Sequence, residues 1–240
     1  ILGYTLQLYF DFSGYCDIAA GVARLFGLRL PMNFDSPYRS ASVTEFWKRW
    51  HITLTTFLRE CLYFPLGGSR RGTARTYCNI LIIFLVSGFW HGAGWTFLVW
   101  GALHGLAQVI ERAWGPSRDR LPRLVRWGLT FLFVNIAWVF FRAESFGKAL
   151  MFLRHAVTGL SLSYVDIQNS ILPFTGDNTC AAYFLTACGF LLLLFLYERG
   201  QVYGKKRGGA VLSSGWLAVM LVSVVLFGVF GASGFLYANF

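Results

Sequence analysis

Charge is scarce in this chain. Asp, Glu, Lys and Arg make up 13% of its 240 residues, about half the share in an ordinary soluble domain. That shortage, beside 56% hydrophobic and 18% aromatic residues, excludes a water-soluble globular domain and points to an integral membrane protein. Acidic residues are the rarer kind, 11 against 21 Lys and Arg, which leaves a net charge of +10. The basic residues fall in short clusters between apolar runs, the positive-inside pattern that faces anionic lipid headgroups. No basic helix or stacking platform stands apart from those runs, which argues against a nucleic-acid partner.

Paired cysteines are lacking too. Cys16, Cys61, Cys78, Cys180 and Cys188 contain no C-x-x-C pair. A structural disulfide or zinc site has no support, and the five read as small apolar fillers. Internal repeats and low-complexity tracts are absent. The chain opens Ile1-Leu2-Gly3, without an initiator Met or signal peptide. The expectation is one membrane domain over residues 1–240, read as part of a longer protein.

The most informative stretch is Trp90-His91-Gly92-Ala93-Gly94. It sets an imidazole between apolar segments at 77–90 and 95–110. As helices these would run about 21 and 24 Å, against a hydrocarbon core of about 30 Å. The reading is a re-entrant hairpin with His91 at depth, where ionisable groups are costly and mark function. The glycines keep the backbone slim for a ligand's approach.

Around this hairpin the pattern is helical throughout. Residues 3–30 form a long apolar stretch in which Gln7, Asp11 and Tyr15 share a face; such a stripe should turn toward protein or water. Pro31 and Pro37 break it. Ser42-Val43-Thr44-Glu45 is a capping box. It predicts one helix running to Pro65, too charged to span and apolar enough to lie in the interface. On that helix His51 would share an inward face with Trp47, Leu54, Thr55 and Leu58. Residues 127–141 continue as a membrane helix, a short amphipathic helix is expected near Phe146–His155, and 180–197 and 210–230 span. The basic loops at 69–75, 112–126 and 199–207 hold 12 of the 21 Lys and Arg, which places them on the cytoplasmic side. The fold class is therefore all-α: a polytopic transmembrane protein with short broken helices and interfacial amphipathic helices.

Four histidines carry the candidate chemistry. His155, beside Arg154, reads as solvated, and His104 as a hydrogen-bonded packing residue. His51 and His91 remain. A buried imidazole stays neutral near pH 7 and can act as general base, taking a proton from a hydroxyl that attacks a thioester. No two of the histidines share a metal-ligand spacing and no carboxylate lies within a turn of His51 on its inward face, so no metal site is expected. Gly67-Gly68-Ser69-Arg70-Arg71-Gly72 lacks the spacing and Lys of a P-loop. A transporter or scaffold is the competing class, since broken helices and buried ionisable groups serve transport as well.

These residues carry a family resemblance. Gln7-Leu8-Tyr9-Phe10-Asp11-Phe12-Ser13-Gly14-Tyr15, Pro31-Met32-Asn33-Phe34-Asp35-Ser36-Pro37-Tyr38-Arg39-Ser40, Thr44-Glu45-Phe46-Trp47-Lys48-Arg49-Trp50-His51, Tyr63-Phe64-Pro65-Leu66-Gly67-Gly68, Trp90-His91-Gly92-Ala93 and Trp100-Gly101-Ala102-Leu103-His104-Gly105 follow in order. Together they resemble the membrane-bound O-acyltransferase superfamily, in particular the branch of the alginate O-acetyltransferase membrane subunit. The teichoic-acid D-alanyl transfer proteins are the related second branch. The resemblance implies that His91 is the catalytic histidine and His51 the second histidine of the branch. It implies an acyl-thioester donor, acetyl-CoA or an acyl carrier protein, used as substrate with no bound cofactor. It further implies membrane lipids, periplasmic O-acetylation proteins and a polysaccharide acceptor as partners, in the bacterial inner membrane. Asp11, Asn33, Arg49, Trp50 and Trp90 are expected to line or brace the substrate path. Each of the first three has a structural alternative. Asp11 would pair with an absent helix, Asn33 would cap the turn at Pro31, and Arg49 would pair with Glu45 at i, i+4.

Overall fold

The computed structural model describes residues 1–158, and within them every regular element is helical. The expected spans at 180–197 and 210–230, the basic loop at 199–207, Cys180 and Cys188 lie outside the described residues. Seven α-helices follow one another: α1 (Leu2–Leu25), α2 (Val43–Arg49), α3 (Ile52–Leu58), α4 (Thr73–His91), α5 (Trp95–Trp114), α6 (Arg123–Arg142) and α7 (Phe146–Thr158).

α4 and α5 form the hairpin, and their length corrects one expectation. α4 has 19 residues and α5 has 20, so at 1.5 Å per residue they run about 28 and 30 Å. The polar turns Thr73–Thr76 and Glu111–Trp114, which the apolar pattern left out, supply the difference. Length therefore no longer requires the hairpin to turn back inside the bilayer. α4 and α6 are long and apolar enough to cross a membrane by length and composition. Their outer faces agree: Ile82, Leu85, Val86, Leu129, Leu132 and Ile136 are exposed, which suits a lipid surface and not water.

The two arms touch at glycine. A Cβ on Gly101 would sit 2.3 Å from the Phe84 carbonyl oxygen, and one on Gly88 2.4 Å from that of Phe97. Only the missing side chains allow this approach, the small-residue contact by which membrane helices pack. α6 completes the frame. Its Asn135 accepts from the Thr5 hydroxyl of α1 at 2.6 Å while donating to Phe131 O at 2.8 Å. On α1, Thr5 and Leu8 are buried, whereas Gln7 and Tyr15 of the expected polar stripe are exposed and Asp11 is half-buried.

The Ser42 cap forms as its sequence predicts: the Ser42 hydroxyl accepts from Glu45 N at 2.8 Å. The reciprocal arm of the box reaches one residue further back, from Glu45 to Ala41 N at 2.8 Å. The single helix expected as far as Pro65 is interrupted. α2 ends at Arg49, His51 takes a left-handed conformation (φ 45°), and α3 starts anew at Ile52. A π-helical turn at Arg59–Tyr63 follows. α7 covers Phe146–Thr158, three residues past its expected end.

Candidate active site

The break at His51 has a cause 18 residues upstream. Residues 33–35 run alongside 49–53, with Ile52 N donating to Asn33 O and Asp35 N to Arg49 O, both at 3.0 Å. Side chains reinforce the seam. Asn33 Oδ1 accepts from Thr53 N at 3.1 Å and from the Thr53 hydroxyl at 2.6 Å. The same oxygen lies 3.3 Å from His51 Nδ1. A left-handed backbone is uncommon for a residue other than glycine and persists only where surroundings over-determine it; here four bonds do so. The edge of Phe12 closes the other side, its ring centre 4.8 Å from that of His51. Burial first, and neighbouring His91 second, hold the His51 imidazole below its ordinary 6.5, at about 4. It is neutral at pH 7.

His91 is the last residue of α4, at the hairpin tip. Its ring is packed against Trp100 and Phe141, both with centroids at 5.3 Å and nearly edge-on. Neither nitrogen bonds to a described residue, and neither is sealed off. Gly92 makes room for the Phe97 ring, which would lie 2.5 Å from an added Cβ. Trp90 and Trp95, which bracket the turn in sequence, are 70% and 78% exposed. The fold thus brings His51 and His91 within electrostatic reach of each other, although 40 residues separate them in sequence.

The other expected site residues take different places. Arg49 is a brace: it bonds Glu45 at 3.0 Å, Asp35 at 3.4 Å and the Asp35 carbonyl at 3.1 Å. The i, i+4 pairing with Glu45 is present. Trp50 is 2% exposed, stacked on Phe46 at 5.5 Å and tilted against Trp138 at 5.2 Å. It packs in the core. Asn33 bonds forward to His51 and Thr53 and does not cap the turn at Pro31. Asp11 has no hydrogen bond or ion pair among the described residues.

His104 is fully buried and its Nδ1 accepts from Trp47 Nε1 at 3.1 Å. It is a bonded packing residue, ringed by Phe46, Phe84, Trp100 and Phe133. Two contributors went unread in the sequence. Glu111 of α5 accepts from Val43 N (2.7 Å), Thr44 N (3.0 Å) and the Thr44 hydroxyl (2.9 Å), and pairs with Arg118 at 3.0 Å. It caps α2 from another helix, where a carboxylate also meets the positive end of the helix dipole. Its signal was its isolation as the sole acidic residue of α5. Thr53 is the second, legible only as a polar residue close behind His51. Among the described residues no three His, Cys, Asp or Glu side chains gather at metal-binding distance.

Residues 1–146 match the membrane-bound O-acyltransferase family, and the chain belongs to it. The peptidoglycan O-acetyltransferase of Helicobacter pylori is 40% identical over 262 residues, an alignment that covers all of this chain and 48% of the relative. The probable alginate O-acetylase AlgI of Pseudomonas aeruginosa is 52% identical over 191 residues, 73% of this chain and 37% of its own. The teichoic acid D-alanyltransferase of Streptococcus thermophilus is more distant, 37% identical over 119 residues, 46% of this chain and 28% of its own. The chain spans about half or less of the length of these relatives.

Proposed function

We propose that the protein is a membrane O-acyltransferase that moves an acetyl group from a cytoplasmic thioester donor toward hydroxyls of an exported polysaccharide. The observation that carries this reading is that His51 and His91, 40 residues apart in sequence, lie within electrostatic reach of each other. His91 stands beside a glycine-thinned turn, in a chain 40–52% identical to O-acetylation proteins. In the proposed step a histidine nitrogen takes the proton of the attacking hydroxyl as its oxygen bonds the thioester carbonyl carbon. The carbon–sulfur bond then breaks, and the departing thiolate takes the proton back. No protein nucleophile and no metal enters this balance. His91 is the transfer centre, and His51 assists from the cytoplasmic side.

The donor is acetyl-CoA or an acyl carrier protein. The setting is one membrane domain in the bacterial inner membrane, working with periplasmic O-acetylation proteins. Trp90 belongs to the substrate path beside His91. Asp11 remains a candidate path residue on α1. D-alanyl transfer to teichoic acid is the alternative, favoured by less of the sequence.

The test uses the full-length parent protein in cells. Ester-linked acetate on the exported polysaccharide is compared for wild type and His91→Ala, with membrane levels checked by blotting. Loss of acetate at normal protein level supports the reading. Unchanged acetate accompanied by altered solute flux favours a transporter.

A further inference from the structure

We propose that Asn33 is the positioning residue that holds His51 as its Nδ1–H tautomer and leaves Nε2 as the basic nitrogen. The proposal takes its meaning from the acyl-transfer reading above, but its geometry stands apart from that reading.

One donor at this amide has no choice of role. A backbone N–H only donates, and Thr53 N lies 3.1 Å from the Asn33 amide. The atom facing it is therefore the amide oxygen, not the nitrogen. The other end of the amide agrees, since Asn33 Nδ2 points at the Cys16 sulfur, a weak acceptor, at 3.5 Å. A reversed amide would set two donors against each other at Thr53. An amide oxygen carries no hydrogen, so the His51 nitrogen 3.3 Å away must supply one. A neutral imidazole has a single N–H. With that hydrogen on Nδ1, the lone pair is on Nε2.

The assignment is held mechanically as well. The backbone bonds from Ile52 N to Asn33 O and from Asp35 N to Arg49 O tie the two segments on both sides of the amide. Turning the ring over would place carbon against Asn33 Oδ1 and lose the bond, while the Phe12 edge confines the ring. This is the arrangement by which an orienting partner on one imidazole nitrogen selects the nitrogen that does chemistry. Asn33 thus acts through His51, and not on the substrate.

The charged surroundings are few. His91 of α4 acts directly on His51. Cys16 of α1 reaches it through Asn33, and Arg49, Asp35 and Glu45 offset one another in ion pairs.

The test is histidine 15N spectroscopy of the labelled full-length protein in nanodiscs near pH 7.5, with His51→Gln assigning the resonance by difference. The expected result is a protonated Nδ1 and a lone-pair Nε2. Asn33→Ala should populate both tautomers and lower acetyl transfer about 10-fold. Asn33→Asp keeps the acceptor and adds a negative charge. It should retain the tautomer and move the acid limb of transfer to higher pH by about one unit. A wild-type spectrum with the hydrogen on Nε2 overturns the proposal. So does a folded Asn33→Ala protein that keeps the single Nδ1–H tautomer, because Asn33 would then not be what selects it. If the tautomer is as expected and transfer ignores His51→Gln, the assignment of Asn33 stands and the catalytic reading of His51 fails.

Discussion

The polar clamp around His51 and the aromatic tip around His91 hold the same kind of ring by different means. His51 is gripped by hydrogen bonds through Asn33 and by a backbone seam on either side. His91 is touched by the edges of Trp100 and Phe141, and no described residue bonds its nitrogens. Hydrogen bonds select a tautomer; ring edges select a position and leave the protonation state open. A group that must accept a proton and return it in each turnover suits the second environment. A group that must present one lone pair steadily suits the first.

The difference between the two rings is open to measurement. The largest effect belongs to the open ring: His91→Ala should lower ester-linked acetate at least about 100-fold, the share a general base supplies, at unchanged membrane level. His51→Ala should cost less, about 10-fold. Equal losses, with no further loss in the double variant, would show the two histidines acting as one unit. The frame beneath the tip comes next. Gly101→Val drives a side chain into the Phe84 carbonyl and should destabilise the purified protein by about 1–3 kcal/mol, as overpacking does. Gly3→Ala, with nothing within 4 Å of the new Cβ, is the control and should leave the melting temperature unchanged or slightly raised.

Acid should reach the clamp in a defined window. His51 titrates near 6.5 when unfolded and near 4 when folded. Between these values the unfolded chain binds more protons. The stabilisation is therefore complete above pH 6.5, is lost as pH falls toward 4, and changes no further below that. The expected loss is of the order of 1–2 kcal/mol, since partial exposure reduces the full linkage value. Denaturation followed against pH checks it, and His51→Gln should flatten this part of the slope. The smallest effect lies far from both rings. A double-mutant cycle with Thr5→Val and Asn135→Leu should return about 0.6 kcal/mol, the usual worth of a hydrogen bond between membrane helices.

What the sequence revealed follows from the range of the forces involved. Ser42 was legible because a cap is settled within four residues. α4, α5 and α6 were legible because apolar runs persist through them, though Thr73–Thr76 and Glu111–Trp114 were missed for being polar. His91 stood out because glycines flank it. The break at Trp50–His51 was not legible: no Gly or Pro marks it, and its cause is the Asn33 seam, a contact made only after folding. The pairing of Arg49 with Glu45 was legible from its i, i+4 spacing, and it forms. Spacing does not show that Arg49 also reaches Asp35 or that Trp50 stacks on Phe46.

The cap that Glu111 places on α2 also sets an order of construction. α2 has seven residues, too few for a helix to persist unaided in water. On the ribosome residues 43–49 are made some sixty positions before Glu111. The α4–α5 hairpin, joined by a three-residue turn, can close by itself as soon as it is inserted. With it comes the Glu111 carboxylate that secures the start of α2 and steadies the segment leading to His51. The segment that leads to His51 thus waits for α5, although it was translated earlier, and the tip that carries His91 waits in turn for Phe141 of α6.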